Sequence, residues 1–167
     1  MDRPSGFQTS IPKSNASHEA ACPRCGAVGR PVTDQTIEAI LAPGFAPSLL
    51  AVERRFCKTP DCAVLYYGEG GRAVEKDAAC VRVGVKESED PVALCYCFGF
   101  TRADVRAEVA ATGATTIPTR ITAEIRAGRC RCEVANPSGT CCLGEVNRAV
   151  EEAMKLVGIS RASGKSR

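Results

Sequence analysis

The chain has 167 residues, a formal net charge of +3, eleven cysteines, one histidine and no tryptophan. So small a charge, with few aromatic side chains, argues against a nucleic-acid-binding protein, which concentrates basic residues on one face. Neither a secretory leader nor an apolar run of about eighteen residues is found, so we expect a cytoplasmic protein without a membrane span. In that reducing compartment, clustered cysteines are more typical of metal ligands than of disulfides.

The N-terminal half of the sequence predicts a disordered segment followed by short strands. Residues 1–20 are small and polar, and we expect them to be disordered because they cannot bury enough apolar surface. Short runs of β-branched and aromatic residues follow, bounded by glycine and proline, at residues 48–56, 63–67 and 80–85. Such runs predict short strands and hairpins. A charged stretch that ends at Pro91 marks the predicted domain boundary.

Beyond this boundary the apolar pattern takes the helical period. Thr101 and Asp104 predict a capping box at the start of a first helix, and Gly113 predicts its end. Two further helices are expected over residues 116–128 and 145–157. One face of the second helix carries three isoleucines, Ile117, Ile121 and Ile125.

These patterns together predict an α+β protein in which a small β-rich module precedes a three-helix domain. The predicted bounds are a disordered N-terminus, a β-rich module, a helical domain and a flexible basic tail, at 1–20, 21–90, 91–158 and 159–167. The single histidine, His18, lies in the predicted disordered segment, and the sequence has no nucleophile motif or phosphate-binding loop. We therefore expect a protein that is not an enzyme.

Four cysteines in the β-rich module have the spacing of a zinc site. Cys22-Pro-Arg-Cys25-Gly26 brings two thiolates three residues apart, with a glycine that allows a tight turn. Cys57 and Cys62 can loop around the same ion, although their spacing is wider than the usual CxxC. Coordination by four sulfurs selects zinc or iron, and a closed site is more often structural than catalytic. We predict a structural Zn²⁺ site.

Six cysteines in the helical domain have a different pattern, namely Cys95, Cys97, Cys130, Cys132, Cys141 and Cys142. A CxC pair suits a tetrahedral zinc chelate poorly, but its two thiolates can take two corners of one iron. The other ligands would come from a distant loop, as a [2Fe-2S] cluster with four cysteines requires. The pattern predicts such a cluster with two thiols left over.

The order of these motifs carries a family resemblance. CxC, two helices, a cysteine loop and Cys142-Leu-Gly-Glu-Val at the start of the last helix resemble the bacterioferritin-associated-ferredoxin type of [2Fe-2S] domain. Over residues 21–157 the chain is similar to the N-terminal half of CopZ-type copper chaperones, which carry zinc and [2Fe-2S]. The sequence segments on which this similarity rests are Arg82-Val-Gly-Val-Lys-Glu, Cys95-Tyr-Cys-Phe-Gly-Phe-Thr, Thr115-Thr-Ile-Pro and Cys132-Glu-Val-Ala-Asn-Pro-Ser-Gly-Thr-Cys-Cys-Leu-Gly. No MxCxxC motif occurs, so copper transfer by a heavy-metal-associated domain is not expected.

The resemblance implies specific ligands and a function. The cluster ligands would be Cys95, Cys97, Cys132 and Cys142, with Cys130 and Cys141 as alternates for the last two. The implied function is electron transfer in the handling of copper or another soft metal, with a redox or metal-trafficking protein, such as a copper chaperone or transporter, as partner. The alternative is a metallochaperone or metal sensor whose surplus thiols bind Cu(I) or Hg(II). Cys80 lies outside both groups and is interpreted as a small packed residue at a strand end.

Overall fold

The structure is a computed structural model that describes residues 21–45 and 53–159. The predicted disordered segment, with His18, and residues 160–167 of the predicted tail lie outside the described residues. A small antiparallel sheet and several helices confirm the predicted α+β class. Within the described ranges, no helix is both long and apolar enough to cross a bilayer.

A four-stranded antiparallel sheet forms most of the N-terminal part, which we call the sheet module. All of β3 is buried because it is an inner strand with packed side chains around it. Leu65 and Tyr66 join the main core of the module, whereas Val64 and Tyr67 pack beside the cysteines. The strands follow one another in the order β1 (Arg30–Val32), β2 (Arg54–Phe56), β3 (Val64–Gly68) and β4 (Ala73–Glu75).

Helix α1 (Asp34–Ile40) lies between β1 and β2, and the strand and hairpin pattern predicted for this β-rich module did not include it. The Thr33 hydroxyl accepts a hydrogen bond from the amide of Thr36 and caps the first turn. Ile37 and Ile40 are almost completely buried in the core of the module. A helix of seven residues depends on such tertiary burial rather than on its own propensity, and its sequence signal is correspondingly weak.

The predicted strand over residues 80–85 is also wrong. Val83 and Val85 both pack on the core of the sheet module, as alternate residues of a strand would. The backbone bonds locally instead, with the amide of Lys86 donating to the carbonyl of Val83 over 2.7 Å. The chain thereby forms a single 3-10 turn, Gly84–Lys86, which we call the junction turn because it leads into the second part of the molecule.

The second part, which we call the helical module, begins with a two-stranded hairpin, β5 (Ala93–Cys95) and β6 (Phe100–Thr101). The three predicted helices are confirmed, and the capping box of Thr101 and Asp104 is formed. One further helix, of only four residues, precedes the last helix and was too short to predict. The helices are α2 (Arg102–Thr112), α3 (Ile117–Arg126), α4 (Cys132–Ala135) and α5 (Leu143–Leu156).

The core of the helical module lies where α5 packs against α2 and α3. Cys95 and Cys142 are part of this core, at one end of the helices. Its central side chains are 1% exposed or less, and they are Val105, Val109, Ile117, Ile121 and Val146. The apolar face of each helix therefore meets the others beside the cysteines.

The two modules pack directly against each other. Helix α1 of the sheet module contacts α4 of the helical module. The loop that follows α4, residues 136–140, lies on the sheet module, and the buried hydroxyl of Tyr66 donates to the carbonyl of Pro137 over 2.7 Å. A Cβ at Gly139 would lie 2.8 Å from the Thr36 hydroxyl, which shows how closely the loop is packed.

Candidate metal centres

The first arm of the N-terminal cysteine group is a tight turn. The amide of Gly26 donates to the carbonyl of Cys22 over 2.9 Å, and the amide of Cys22 donates to the carbonyl of Ala27 over 2.9 Å. Gly26 has a φ of +71°, a conformation that residues with a Cβ rarely adopt. The turn directs the Cys22 and Cys25 thiols to the same side, as the CPxCG pattern predicts.

The second arm is the loop of residues 57–62, which connects β2 to β3. Its ends are fixed, since the amide of Cys57 donates to Leu65 across the strands and the amide of Cys62 donates to Thr59. The side chain of Lys86 enters from the junction turn and donates to the carbonyls of Thr59 (3.0 Å) and Cys62 (2.8 Å). Lys86 is 7% exposed, so its charge lies in the interior beside this loop.

The four sulfurs form a closed group with the dimensions of a tetrahedral site. The Sγ atoms of Cys22 and Cys62 are 3.9 Å apart, those of Cys25 and Cys57 are 3.6 Å apart, and all four lie within 4.8 Å of one another. A tetrahedral zinc ion with Zn–S bonds of about 2.3 Å requires an S–S edge of about 3.8 Å. The donors therefore fit zinc in both number and spacing.

Burial and hydrogen bonding give Cys22, Cys25 and Cys62 different acidities. Burial raises the pKa of Cys22, and it raises the pKa of Cys62 to about 12. The hydroxyl of Thr59, 3.3 Å from the exposed Cys25 sulfur, lowers the pKa of Cys25 to about 6. Since a metal binds thiolates, metal binding must displace the protons that the buried thiols otherwise keep near neutral pH.

The second group of cysteines lies in the helical module. Five of its six members are close to the end of the module at which β5 ends and α4 and α5 begin. Cys95 ends β5, Cys132 begins α4 and Cys142 precedes the first turn of α5. Cys97 follows in the hairpin turn, and Cys130 lies ahead of α4. Cys142 is thus at the N-terminus of a fourteen-residue helix, where the macrodipole favours a thiolate.

The sulfurs of this second group form two sets. Cys97 is 3.8 Å from Cys132 and 4.0 Å from Cys130, and the three sulfurs lie within 4.8 Å of one another. The amide of Arg131 donates to the Cys97 sulfur over 3.3 Å. Cys95 and Cys142 lie in the adjoining core of the helical module, and hydrogen bonding between their thiols lowers the pKa of Cys95 to about 7 and raises that of Cys142. Burial raises the pKa of both Cys97 and Cys132.

Two cysteines differ from these sets. Cys141 is exposed and belongs to neither group of converging sulfurs. Cys80 is exposed as well, so its interpretation as a packed residue is wrong. It follows a short turn and an isolated bridge rather than a buried strand, which leaves its side chain at the surface.

Three functional contacts were not predicted from the sequence. Lys86 and Thr59 flank the four-cysteine group, and Tyr96 links the CxC segment to the junction turn through its hydroxyl. The role of Tyr96 could have been inferred from the sequence, because an aromatic residue between two cysteines lies beside any centre that the two cysteines form. The role of Lys86 could not have been inferred from the sequence, since only the tertiary fold brings its side chain to the 57–62 loop.

Comparison with known proteins identifies relatives of this chain in sequence and in fold. Residues 19–79 match a family model of the CopZ type described as a zinc binding domain. Over 128 residues the chain is 34% identical to the copper chaperone CopZ of Archaeoglobus fulgidus, covering 76% of this chain and 60% of that protein's length. The fold is similar to the X-ray structure of the A. fulgidus CopZ N-terminal domain, with a TM-score of 0.63, 28% identity and coverage of 84% of this chain and 98% of that one. The chain therefore contains a CopZ-type zinc-binding domain and is homologous to that N-terminal domain.

Proposed function

We propose that this chain is an electron-transfer protein that carries one structural zinc ion and one [2Fe-2S] cluster and takes part in handling copper or another soft metal. The observation that carries the proposal is the separation of the thiols into a closed group of four and a second group beside the helix ends. Homology to a copper chaperone supports metal handling as the context and a role other than catalysis.

The proposed zinc ligands are Cys22, Cys25, Cys57 and Cys62. Three of these thiols are buried, and the four leave no position for water in a tetrahedral shell, as is typical of structural sites. The ion would tie the turn ahead of β1 to the loop between β2 and β3. Because an unfolded chain holds no such site, the free energy of metal binding would stabilise the fold of the sheet module.

The proposed cluster ligands are Cys95, Cys97, Cys132 and Cys142. Cys97 lies 3.8 Å from Cys132, and Cys95 and Cys142 lie together in the adjoining core, which supports a ligand set drawn from the CxC segment and the two later loops. Cys130 stays the alternate for Cys132, since it too lies beside Cys97. The exposed thiol of Cys141 makes it a weaker alternate for Cys142. A [2Fe-2S] cluster bound here would supply a one-electron couple.

The protein would control this centre through burial and hydrogen bonds. Cys95 and Cys142 are 1% and 2% exposed, so the core of the helical module excludes water on their side. Cys97 and Cys130 are only half-buried, and they mark the side from which a partner can approach. The partner that we propose is a redox or metal-trafficking protein of the cytoplasm, such as a copper chaperone or transporter.

Metal and sulfide analysis of anaerobically prepared protein tests the proposal. We expect zinc, iron and sulfide in the ratio of one zinc ion to one [2Fe-2S] cluster, and a visible absorption band that dithionite bleaches. The Cys142→Ser variant should lose iron and sulfide but keep zinc, and Cys22→Ser should lose zinc. The surface variant Cys80→Ser is the control and should retain both. A colourless protein that binds two zinc ions would contradict the proposal.

A metallochaperone or metal sensor is the second candidate, favoured by the three thiols that converge where a four-cysteine cluster needs only two. The two thiols that the cluster leaves over, Cys130 beside Cys97 and the exposed Cys141, could bind a soft ion such as Cu(I) or Hg(II). Titration of the cluster-loaded protein with Cu(I) should then show tight binding that Cys130→Ser or Cys141→Ser abolishes while the visible band remains. Unchanged affinity in both variants would rule this candidate out.

A further inference from the structure

Tyr96 connects the CxC segment to the chain ahead of it. Its hydroxyl accepts a hydrogen bond from the amide of Gly84 over 2.7 Å and donates to the carbonyl of Arg82 over 3.0 Å. Because Tyr96 stands between Cys95 and Cys97, these two bonds restrain the backbone that carries both thiols.

The other end of the same turn holds the four-cysteine group. Lys86 is two residues beyond Gly84, and its ammonium group bonds to the carbonyls of Thr59 and Cys62. These acceptors are in the 57–62 loop, whose ends are zinc ligands in the proposed function. One turn of three residues therefore contacts a ligand loop of each centre.

The junction turn has little freedom to move on its own. Val83, which precedes it, is 2% exposed, and the amide of Lys86 bonds back to Val83. Gly84 lies so close to Ala93 that an added Cβ would be 1.9 Å from the Ala93 carbonyl oxygen. Ala93 begins β5, the strand that ends at Cys95. A displacement of the turn would therefore also displace the strand that carries Cys95.

We propose that Tyr96 is a positioning residue that couples the two metal centres through the junction turn, so that zinc bound in the first centre favours the ligand geometry of the second. Release of zinc frees the 57–62 loop, and Lys86 then loses its fixed acceptors. The turn would be held less firmly, and so would the two thiols on either side of Tyr96. The coupling is reciprocal, since a filled second centre must hold zinc more tightly as well. The inference rests on the proposed function for the identity of the two metals.

The first test is the rate of zinc release to a chromogenic chelator from anaerobically prepared, full-length protein. Tyr96→Phe removes both hydroxyl bonds and keeps the ring, and we expect zinc release about fivefold to tenfold faster, the factor expected for a lost hydrogen bond. Tyr66→Phe is the matched control, since it also removes a buried hydroxyl bond between the modules, and the partner of that bond is Pro137 rather than a residue of the junction turn. Equal rates in Tyr96→Phe and the wild type, or equal acceleration in both variants, would overturn the proposal.

The second test separates positioning from loss of general stability. The midpoint potential of the cluster should shift in Tyr96→Phe and stay at the wild-type value in Tyr66→Phe, even where the two variants lower the unfolding temperature equally. Lys86→Met should accelerate zinc release too, and the double variant Lys86→Met with Tyr96→Phe should be no faster than the faster single variant, because both act through one turn. If the two substitutions accelerated zinc release additively, Lys86 and Tyr96 would not act through the same turn, and the proposal would be contradicted.

These outcomes are distinct from failure of the proposed function. Iron and sulfide analysis decides whether a cluster is present at all. The comparison of zinc release between Tyr96→Phe and Tyr66→Phe can be made even in an iron-free protein. A protein without iron would therefore refute the proposed cluster and still decide whether Tyr96 couples the two cysteine groups.

Discussion

At the scale of single residues, the group of four converging cysteines could be predicted from the sequence, and the contacts that support it could not. The spacing of Cys22 and Cys25 and the glycine after them encode a turn within one short segment. The contact of Lys86 with the Cys62 carbonyl joins residues 24 positions apart, and only the folded chain brings them together. The interpretation of Cys80 failed for another reason: its side chain was expected to be buried because it is small and apolar, but it lies at the surface.

Gly84 is the residue at which the close contact of the two modules can be tested most directly. In Gly84→Ala the new Cβ would lie 1.9 Å from the carbonyl oxygen of Ala93, so the junction turn and β5 must move apart. We expect the free energy of unfolding to fall by about 1–3 kcal/mol, as is usual for overpacking, in urea titrations of the zinc-loaded protein.

Gly144→Ala is the control for this change. Gly144 lies in the first turn of α5, and a Cβ there would meet no atom within 4 Å. Alanine is the better helix former, so this variant should be neutral or more stable by up to about 1 kcal/mol. If the two alanine variants had the same stability, the close approach of Gly84 to Ala93 would not be present in solution.

At the scale of elements, the helical module was predicted more accurately than the sheet module. The capping box of Thr101 and the stop at Gly113 are local signals, and α2 begins and ends where they indicate. Helix α1 has only seven residues and is fixed by burial of Ile37 and Ile40, which the sequence does not reveal. Residues 80–85 have the alternation of a strand, but the chain turns there onto β5 instead of pairing in a sheet.

The connection between α2 and α3 depends on a single carboxylate. Glu108 of α2 accepts hydrogen bonds from the Thr115 hydroxyl (2.7 Å) and the Thr116 amide (2.8 Å), ahead of the first turn of α3. The bond from Thr115 is the main reason that the pKa of Glu108 lies below its usual 4.5. The carboxylate therefore stabilises the fold when ionised, and this contribution is present above pH 4.5 and lost as the pH falls through the lower folded-state pKa.

We predict that Glu108→Gln destabilises the protein by about 1 kcal/mol near neutral pH, a value reduced from that of a buried charged bond because this side chain is 33% exposed. The difference from the wild type should shrink as the pH falls below 4.5. Urea unfolding of both proteins across this range measures it, and the exposed Glu151→Gln in α5 serves as control and should show no such trend. A pH-independent difference would mean that the charge of Glu108 plays no part.

At the scale of the whole molecule, the sequence indicated two modules but not how they pack. The predicted bounds of 21–90 and 91–158 stay a prediction, although the residues described do form separate cores in the sheet and helical modules. The contact of α1 with α4 joins segments about a hundred positions apart, and the bond of Tyr66 to Pro137, which holds residues 136–140 on the sheet module, joins residues 71 positions apart. No local pattern encodes such contacts, and Cys132 of the second predicted centre is itself the first residue of α4.

If these contacts couple the modules, the molecule should unfold as one unit. The buried Tyr66 hydroxyl joins β3 to the carbonyl of Pro137, and Tyr66→Phe leaves that carbonyl without this donor, at a cost of about 1–2 kcal/mol. In a single cooperative unit, native-state hydrogen exchange should show an equal loss of protection for the slowest amides of β3 and of α5. The control Lys58→Met, at an exposed position of the 57–62 loop, should leave the protection of the amides in both β3 and α5 unchanged. Loss confined to β3, with α5 as protected as in the wild type, would mean that the modules unfold independently and that contact between them does not imply energetic coupling.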